Sequence, residues 1–233
     1  MTIRNRQKDF KPINNFFFKS LENEPNNSRN IFYLAQTCFC LKEYDESFRN
    51  YLLRTTLNSG FREEIFYSFI RCGDIIGIQR GNWYEALIYY MKAYEIDQRA
   101  EPLVKIAQYY MTREKWLISY SFLSIACKLE YPTNAMLFVD KNIYDYVWWH
   151  LLGAIAFYCG PTYKQEGKEA CIKAINSMNK EIDNPTEPMQ VVGKFIKSSE
   201  YKSVTPKHTP PSLPKALQKL VVKYTKAGKK KKK

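Results

Sequence analysis

From Ile13 onward the apolar residues return every three or four positions, and the stretches that carry them end at short polar or proline-containing turns. Residues 13–24 hold Phe16, Phe17, Phe18 and Leu21 at helical spacing and stop at Pro25-Asn26-Asn27. After that the stretches come in pairs. The first pair covers residues 28–41, with Ile31, Leu34, Ala35 and Cys38 on one face, and residues 44–57, marked by Tyr44, Ser47, Phe48, Tyr51 and Arg54. A second pair spans 62–77 and 83–97, its second helix carrying Trp83, Ala86, Tyr90 and Ala93. In a third, 100–111 and 115–130, Leu103, Ile106, Ala107 and Tyr110 precede Trp116, Ser119, Leu123 and Ala126. A less regular fourth pair reads 142–159, then 166–180 with Ala170 and Ala174; Gly160-Pro161 divides them, and residues 132–140 form an insertion before the pair.

The second helices align on a small residue. Ser47, Ala86 and Ser119 lie 39 and 33 positions apart. The second interval is close to the tetratricopeptide period of about 34 residues, and the first is that period with extra residues at the turn Ile78-Gln79-Arg80-Gly81. Packing explains the pattern. A large residue opens the second helix and wedges against the first, a small one three positions on lets the backbones approach, and a large one four further fills the gap to the next repeat. The expected fold is all-α: a right-handed α-solenoid of tetratricopeptide-like helix pairs over residues 13–183, after a loose N-terminus at 1–12.

Composition sharpens this reading at the C-terminal end. The net charge of +13 is uneven: residues 1–193 are almost balanced, whereas residues 194–233 hold 13 Lys and one acid, Glu200. Prolines at 206, 210, 211 and 214 mark 184–214 as a linker, and 215–233 as a disordered Lys-rich tail. The start, Met1-Thr2-Ile3-Arg4, is too polar for a signal peptide, and the most apolar window, 146–160, is too short to span a bilayer. The six cysteines contain no Cys-x-x-Cys pair and the chain has two histidines, so neither a zinc site nor a disulfide framework is expected. Cysteines on apolar helical faces suit a reducing, cytosol-like compartment.

Candidate chemistry is sparse. His150 lies in an apolar helix and His208 in the linker; no glycine loop can cradle a phosphate; Asp45-Glu46 and Glu63-Glu64 open helices, where they suit the positive end of the dipole. No catalytic, cofactor or metal residue is assigned. Adjacent aromatics on a helix cannot both face the core, so Tyr67, Tyr89 and Tyr109 are the candidates for a partner-binding groove, with Tyr90 and Tyr110 assigned to packing. The tail residues Lys226, Lys229, Lys230, Lys231, Lys232 and Lys233 admit three readings: a solvated tail, a non-specific polyanion contact, or a nuclear localisation signal. Lysine without arginine or interleaved aromatics supplies charge but no base reading.

Residues 21–180 add a resemblance. Leu21-Glu22-Asn23-Glu24-Pro25-Asn26-Asn27, Phe32-Tyr33-Leu34-Ala35-Gln36-Thr37-Cys38, Phe61-Arg62-Glu63-Glu64-Ile65-Phe66-Tyr67-Ser68, Ala93-Tyr94-Glu95 and Arg99-Ala100-Glu101-Pro102-Leu103 carry it. Its most distinctive part is the insertion, Leu137-Phe138-Val139-Asp140-Lys141-Asn142-Ile143-Tyr144-Asp145-Tyr146, followed by Ala154-Ile155-Ala156-Phe157-Tyr158 and Gly167-Lys168-Glu169-Ala170-Cys171. The stretch resembles the tetratricopeptide-like region that follows the catalytic domain in certain family 2 glycosyltransferases, including those of giant viruses. About 20 residues precede the match and they hold one acid, Asp9, so no paired-aspartate metal motif can be carried over. The resemblance therefore implies ancestry from, or partnership with, a glycosyltransferase, and not its activity. In a viral chain the cytosol-like compartment would be the host's.

The expected function is a non-catalytic interaction scaffold that takes a peptide or helix of a protein partner in its groove. A glycosyltransferase-associated accessory role in glycan assembly, and polyanion association through the tail, are the alternatives.

Overall fold

The computed structural model describes residues 3–183, with side chains placed for 11–178. The described residues are helical and contain no strand. Helix α1 is Ile3–Asn23, α2 Ser28–Leu41, α3 Tyr44–Thr56, α4 Arg62–Asp74, α5 Trp83–Ile96, α6 Ala100–Met111, α7 Trp116–Ala126, α8 Trp148–Cys159 and α9 Lys164–Asp183. Their starts follow the sequence signals. Asn27 caps α2 by accepting from the Asn30 N–H at 3.0 Å, and Asn82 caps α5 in the same way from Glu85 at 3.3 Å. Helix α1 begins well before the predicted position 13 and carries Pro12 inside it. The predicted linker and tail, 184–233, lie outside the described residues.

Each of the first three pairs turns on a residue in the left-handed region: Lys42 (φ 65°), Gly81 (φ 69°) and Glu114 (φ 57°). Each stands two positions before the first residue of the second helix, Tyr44, Trp83 or Trp116. The next N–H closes the turn on the preceding helix: Glu43 to the Cys38 carbonyl at 2.9 Å, Asn82 to Ile76 at 3.0 Å, Lys115 to Tyr110 at 3.0 Å. Glycine occupies the turn once; the lysine and glutamate accept a left-handed backbone that costs a side-chain-bearing residue about 1–2 kcal/mol.

The middle pair contains an irregularity. Helix α4 does not stop before a longer turn but runs on as a π-helical segment, Ile75–Gln79, with the Arg80 N–H donating to the Ile75 carbonyl five residues back. That insertion explains why its turn closes over six residues (82 to 76) where the other two close over five. The extra length of the first repeat interval is thus taken up largely within a helix, as π-bulges allow. A second π segment, Ile143–Val147, leads into α8, where one uninterrupted α-helix was expected.

The small residues of the second helices do what the repeat requires. Ser47, Ala86 and Ser119 are fully buried. The Ser47 hydroxyl donates to the Ala35 carbonyl at 2.8 Å and the Ser119 hydroxyl to the Ala107 carbonyl at 2.6 Å, the same twelve-residue reach in both. Ala86 makes no such bond; a Cβ added at Gly77 would lie 2.9 Å from its methyl, so the close approach there is made by two small groups.

The described residues form two compact units, 3–106 with 129–140, and 107–128 with 141–183. In the first, Ile31, Phe32, Leu34, Ala35, Tyr51, Phe66, Ile70, Cys72 and Ile75 lie in the core, with Trp83, Ala86, Tyr90 and Leu103. In the second, Leu123, Ala126, Tyr144, Trp148, Leu152, Ile155, Ala156, Ala170 and Ala174 are buried. There α8 crosses α9 at two glycines. A Cβ on Gly153 would overlap Cys171 Sγ and lie 3.1 Å from the Gly167 carbonyl, and one on Gly167 would lie 2.7 Å from the Ala156 methyl.

Candidate functional site

In the first unit, helices α1, α2, α3 and α4 enclose a cleft of about 360 Å³ lined by Ile13, Phe17, Tyr33, Gln36, Thr37, Cys40, Tyr51 and Arg71. Helical periodicity places these groups. Ile31, Leu34, Ala35 and Cys38 turn into the core, which leaves Tyr33, Gln36, Thr37 and Cys40 on the neighbouring face of the same helix. Phe17 of α1 stacks on Tyr33 with ring centroids 5.7 Å apart. Buried Asn14, one turn earlier, accepts from the Cys38 thiol at 3.5 Å.

Arg71 supplies the cleft's positive charge. Its guanidinium lies 4.4 Å from the Phe39 ring centroid and 4.9 Å from that of Tyr67, and Nη1 donates to Asp74 Oδ2 at 3.3 Å. Its Nε is buried without a hydrogen-bond partner. The buried Asp74 carboxylate also accepts from the Tyr90 hydroxyl at 2.9 Å and from Lys105 Nζ at 2.8 Å, tying α4, α5 and the start of α6 together. Burial, followed by that carboxylate, holds the Tyr90 phenol far above its ordinary range, so it stays a hydrogen-bond donor.

Beside the cleft, the insertion 132–140 folds back across α2 and α4. Phe138, in the left-handed region at φ 59°, stacks its ring on Tyr67 with centroids 4.2 Å apart and lies 5.3 Å from Phe32. Arg99, 1% exposed, fixes the insertion's backbone: Nη1 donates to the Leu137 carbonyl at 3.3 Å and Nη2 to the Phe138 carbonyl at 2.5 Å. The same guanidinium pairs with Glu101 at 2.5 Å and lies 4.3 Å from the Phe66 ring centroid. The Met136 N–H donates to Glu63 Oε1 at 2.8 Å, and the Asp140 N–H to Glu101 at 3.3 Å.

A second buried arginine performs a related task. Arg54, fully buried, pairs with Glu64 through Nε at 3.0 Å and donates to the Leu57 and Phe61 carbonyls at 3.1 and 2.9 Å, fixing the 57–61 connection between pairs. In both clamps an arginine meets a glutamate in the first turn of the following helix and uses its remaining N–H groups on main-chain carbonyls. The planar guanidinium fork is suited to this; a lysine could not reproduce it.

Each of the three tyrosines predicted to line a groove has its own surroundings. Tyr67 is on the cleft side of α4, its ring covered by Phe138 and Arg71. Tyr89, on α5, meets Phe48 of α3 edge-on at 5.8 Å. Tyr109, in the second unit, has Arg113 stacked 3.6 Å from its ring centroid and Tyr110 edge-on at 5.4 Å. The lysines 226 and 229–233 lie outside the described residues. Sequence reasoning missed Phe17, Tyr33, Gln36, Thr37, Cys40 and Arg71. Their signal is the side of α2 next to its apolar stripe, and one cation in the otherwise apolar run around Ile70 and Cys72.

The cleft offers aromatic faces, two uncharged polar side chains and one cation. All six cysteines are free thiols, and burial pushes Cys38, Cys72 and Cys127 up to about 12, which keeps them protonated and poorly nucleophilic. Cys40 is also raised by its burial, against a smaller opposing effect of Arg71. Among the described residues no group of three or more His, Cys, Asp or Glu could hold a metal, and no helix is long and apolar enough to cross a membrane.

No family model and no curated protein matches the sequence. Among solved structures, the chain is similar to the crystal structure of MamA protein, with a TM-score of 0.54 at 12% identity, over 78% of this chain and 90% of that one. The similarity is one of fold: MamA is a tetratricopeptide-like helical-repeat protein, and the described residues of this chain are helical, with their helices packed in adjacent pairs.

Proposed function

We propose that the chain is a non-catalytic protein-interaction module whose cleft among α1, α2, α3 and α4 holds an extended or helical segment of a partner protein. The observation that carries this reading is the lining itself. Stacked aromatics, two amide or hydroxyl side chains and the single Arg71 guanidinium converge on about 360 Å³ with no acid–base pair or activated nucleophile among them. A helical-repeat fold of the MamA type supports it, since such folds commonly present grooves to partner segments.

Affinity purification from the native source tests it, with three baits: the intact chain, a chain ending at Asn184, and the intact chain with Tyr33→Ala. Recovery of one protein partner by the first two and its loss from the third is the expected result. If no bait recovers a specific protein, the interaction reading fails. If only the intact chain recovers material, and that material is nucleic acid released by salt, the function belongs to the Lys-rich tail.

A second reading concerns which partner. The insertion that carries the glycosyltransferase resemblance is docked on the repeat helices by Phe138 and Arg99, so the most distinctive part of the resemblance lies against the helical body. That favours a glycosyltransferase as the partner, with this chain as its accessory in glycan assembly. Absence of any sugar transferase among specifically recovered proteins would remove it.

A further inference from the structure

The insertion 132–140 is held in an unusual manner for a surface loop. Four of its contacts are made by main-chain atoms, the Met136 and Asp140 N–H groups and the Leu137 and Phe138 carbonyls, and each is met by a charged side chain of the helical body, Glu63, Glu101 or Arg99. Only one insertion side chain is anchored in an aromatic pocket, that of Phe138, between Phe32 and Tyr67. Met136 is 77% exposed. A receptor that grips main-chain groups and reads a single aromatic recognises a pattern that other polypeptides can supply.

Two further observations show that the fit is imperfect. Phe138 adopts a left-handed backbone that a bulky aromatic rarely takes, a conformation that persists only where surroundings impose it. Glu63 uses one carboxylate oxygen on Met136 while the other, Oε2, is buried without a partner, so the receptor has room for one more donor than the insertion offers.

We infer that residues 136–138 are a built-in stand-in for a partner peptide, and that the surface beneath them, formed by Phe32, Glu63, Tyr67 and Arg99, is a binding site for a partner segment carrying an aromatic residue. The insertion competes with that segment, and partner binding lifts it. This inference rests on the interaction reading above and adds to it a second site, beside the cleft, with its own ligand chemistry and a means of gating it.

The probe is a fluorescently labelled synthetic peptide of residues 132–142, titrated into the full-length chain. Phe138→Ala, which removes the competitor's anchor, is expected to bind the peptide about ten-fold or more tightly than the unsubstituted chain. Adding Glu63→Ala is expected to abolish that gain. Equal affinity of the folded Phe138→Ala chain and the unsubstituted chain would overturn the inference, as would a gain that survives Glu63→Ala.

Hydrogen exchange on the unsubstituted chain provides an independent test that needs no variant to fold. Amides of residues 136–140 should exchange about ten times faster than those of α4, or more, through local opening. If they exchange only with global unfolding, the insertion is core and cannot act as a competitor. The two readings separate cleanly. Partner capture with no peptide gain by Phe138→Ala leaves the interaction reading standing and removes this one, whereas failure of every bait removes the interaction reading itself.

Discussion

Arg54 and Glu64 are both below 4% exposed at the side chain, so neither can be removed alone without leaving a buried charge. Arg54→Met is expected to cost about 3–5 kcal/mol of folding stability, because Glu64 and the Leu57 and Phe61 carbonyls lose their donor together. Adding Glu64→Leu should recover part of that loss, and denaturant unfolding of the two variants measures the difference. Thiol reactivity provides a second check at this scale. Cys40 is exposed at the cleft, whereas Cys38 and Cys72 are buried with thiols held near 12, so a maleimide should label Cys40 first in the native chain. Mass mapping of the first adduct tests this; a first adduct on Cys38 or Cys72 would mean that the α2–α4 core opens readily.

At the scale of helices and turns, the left-handed residues are the most exposed to test. Lys42→Gly and Glu114→Gly relieve a backbone strain that Gly81 avoids, and each should raise stability by up to about 1 kcal/mol after the added freedom of the unfolded chain is counted. The α8–α9 crossing should behave in the opposite sense. Gly167→Ala places a methyl 2.7 Å from that of Ala156, and overpacking of this kind costs about 1–3 kcal/mol, read as a lower denaturation midpoint. Much of this layer was legible in advance. The pairing of helices and the small-residue line Ser47–Ala86–Ser119 follow from periodicity, because each depends on neighbours close in sequence. The π segment Ile75–Gln79 was not, since Ile75 and Ile76 remain buried and the apolar pattern reads as an ordinary continuing helix. Nor was the docking of 132–140. It has no period of its own, and its partners Phe32, Glu63 and Arg99 are brought to it only by the fold.

For the whole molecule, the uneven charge gives a prediction independent of the folded body. Nearly all of the +13 net charge lies beyond residue 193, so the intact chain should leave a polyanion column at higher salt than a chain ending at Asn184. Similar elution of the two would place the basic surface on the helical body instead. The insertion also sets an order of events during synthesis. Tyr67 and Phe32 emerge from the ribosome with the first helices, but the ring that covers them belongs to residue 138. At about 5–20 residues per second, the stretch from α5 to the insertion takes a few seconds to appear, and through that interval the aromatic face is bare in the nascent chain. A partner or chaperone present at the ribosome would meet the open site before the chain's own segment could compete for it.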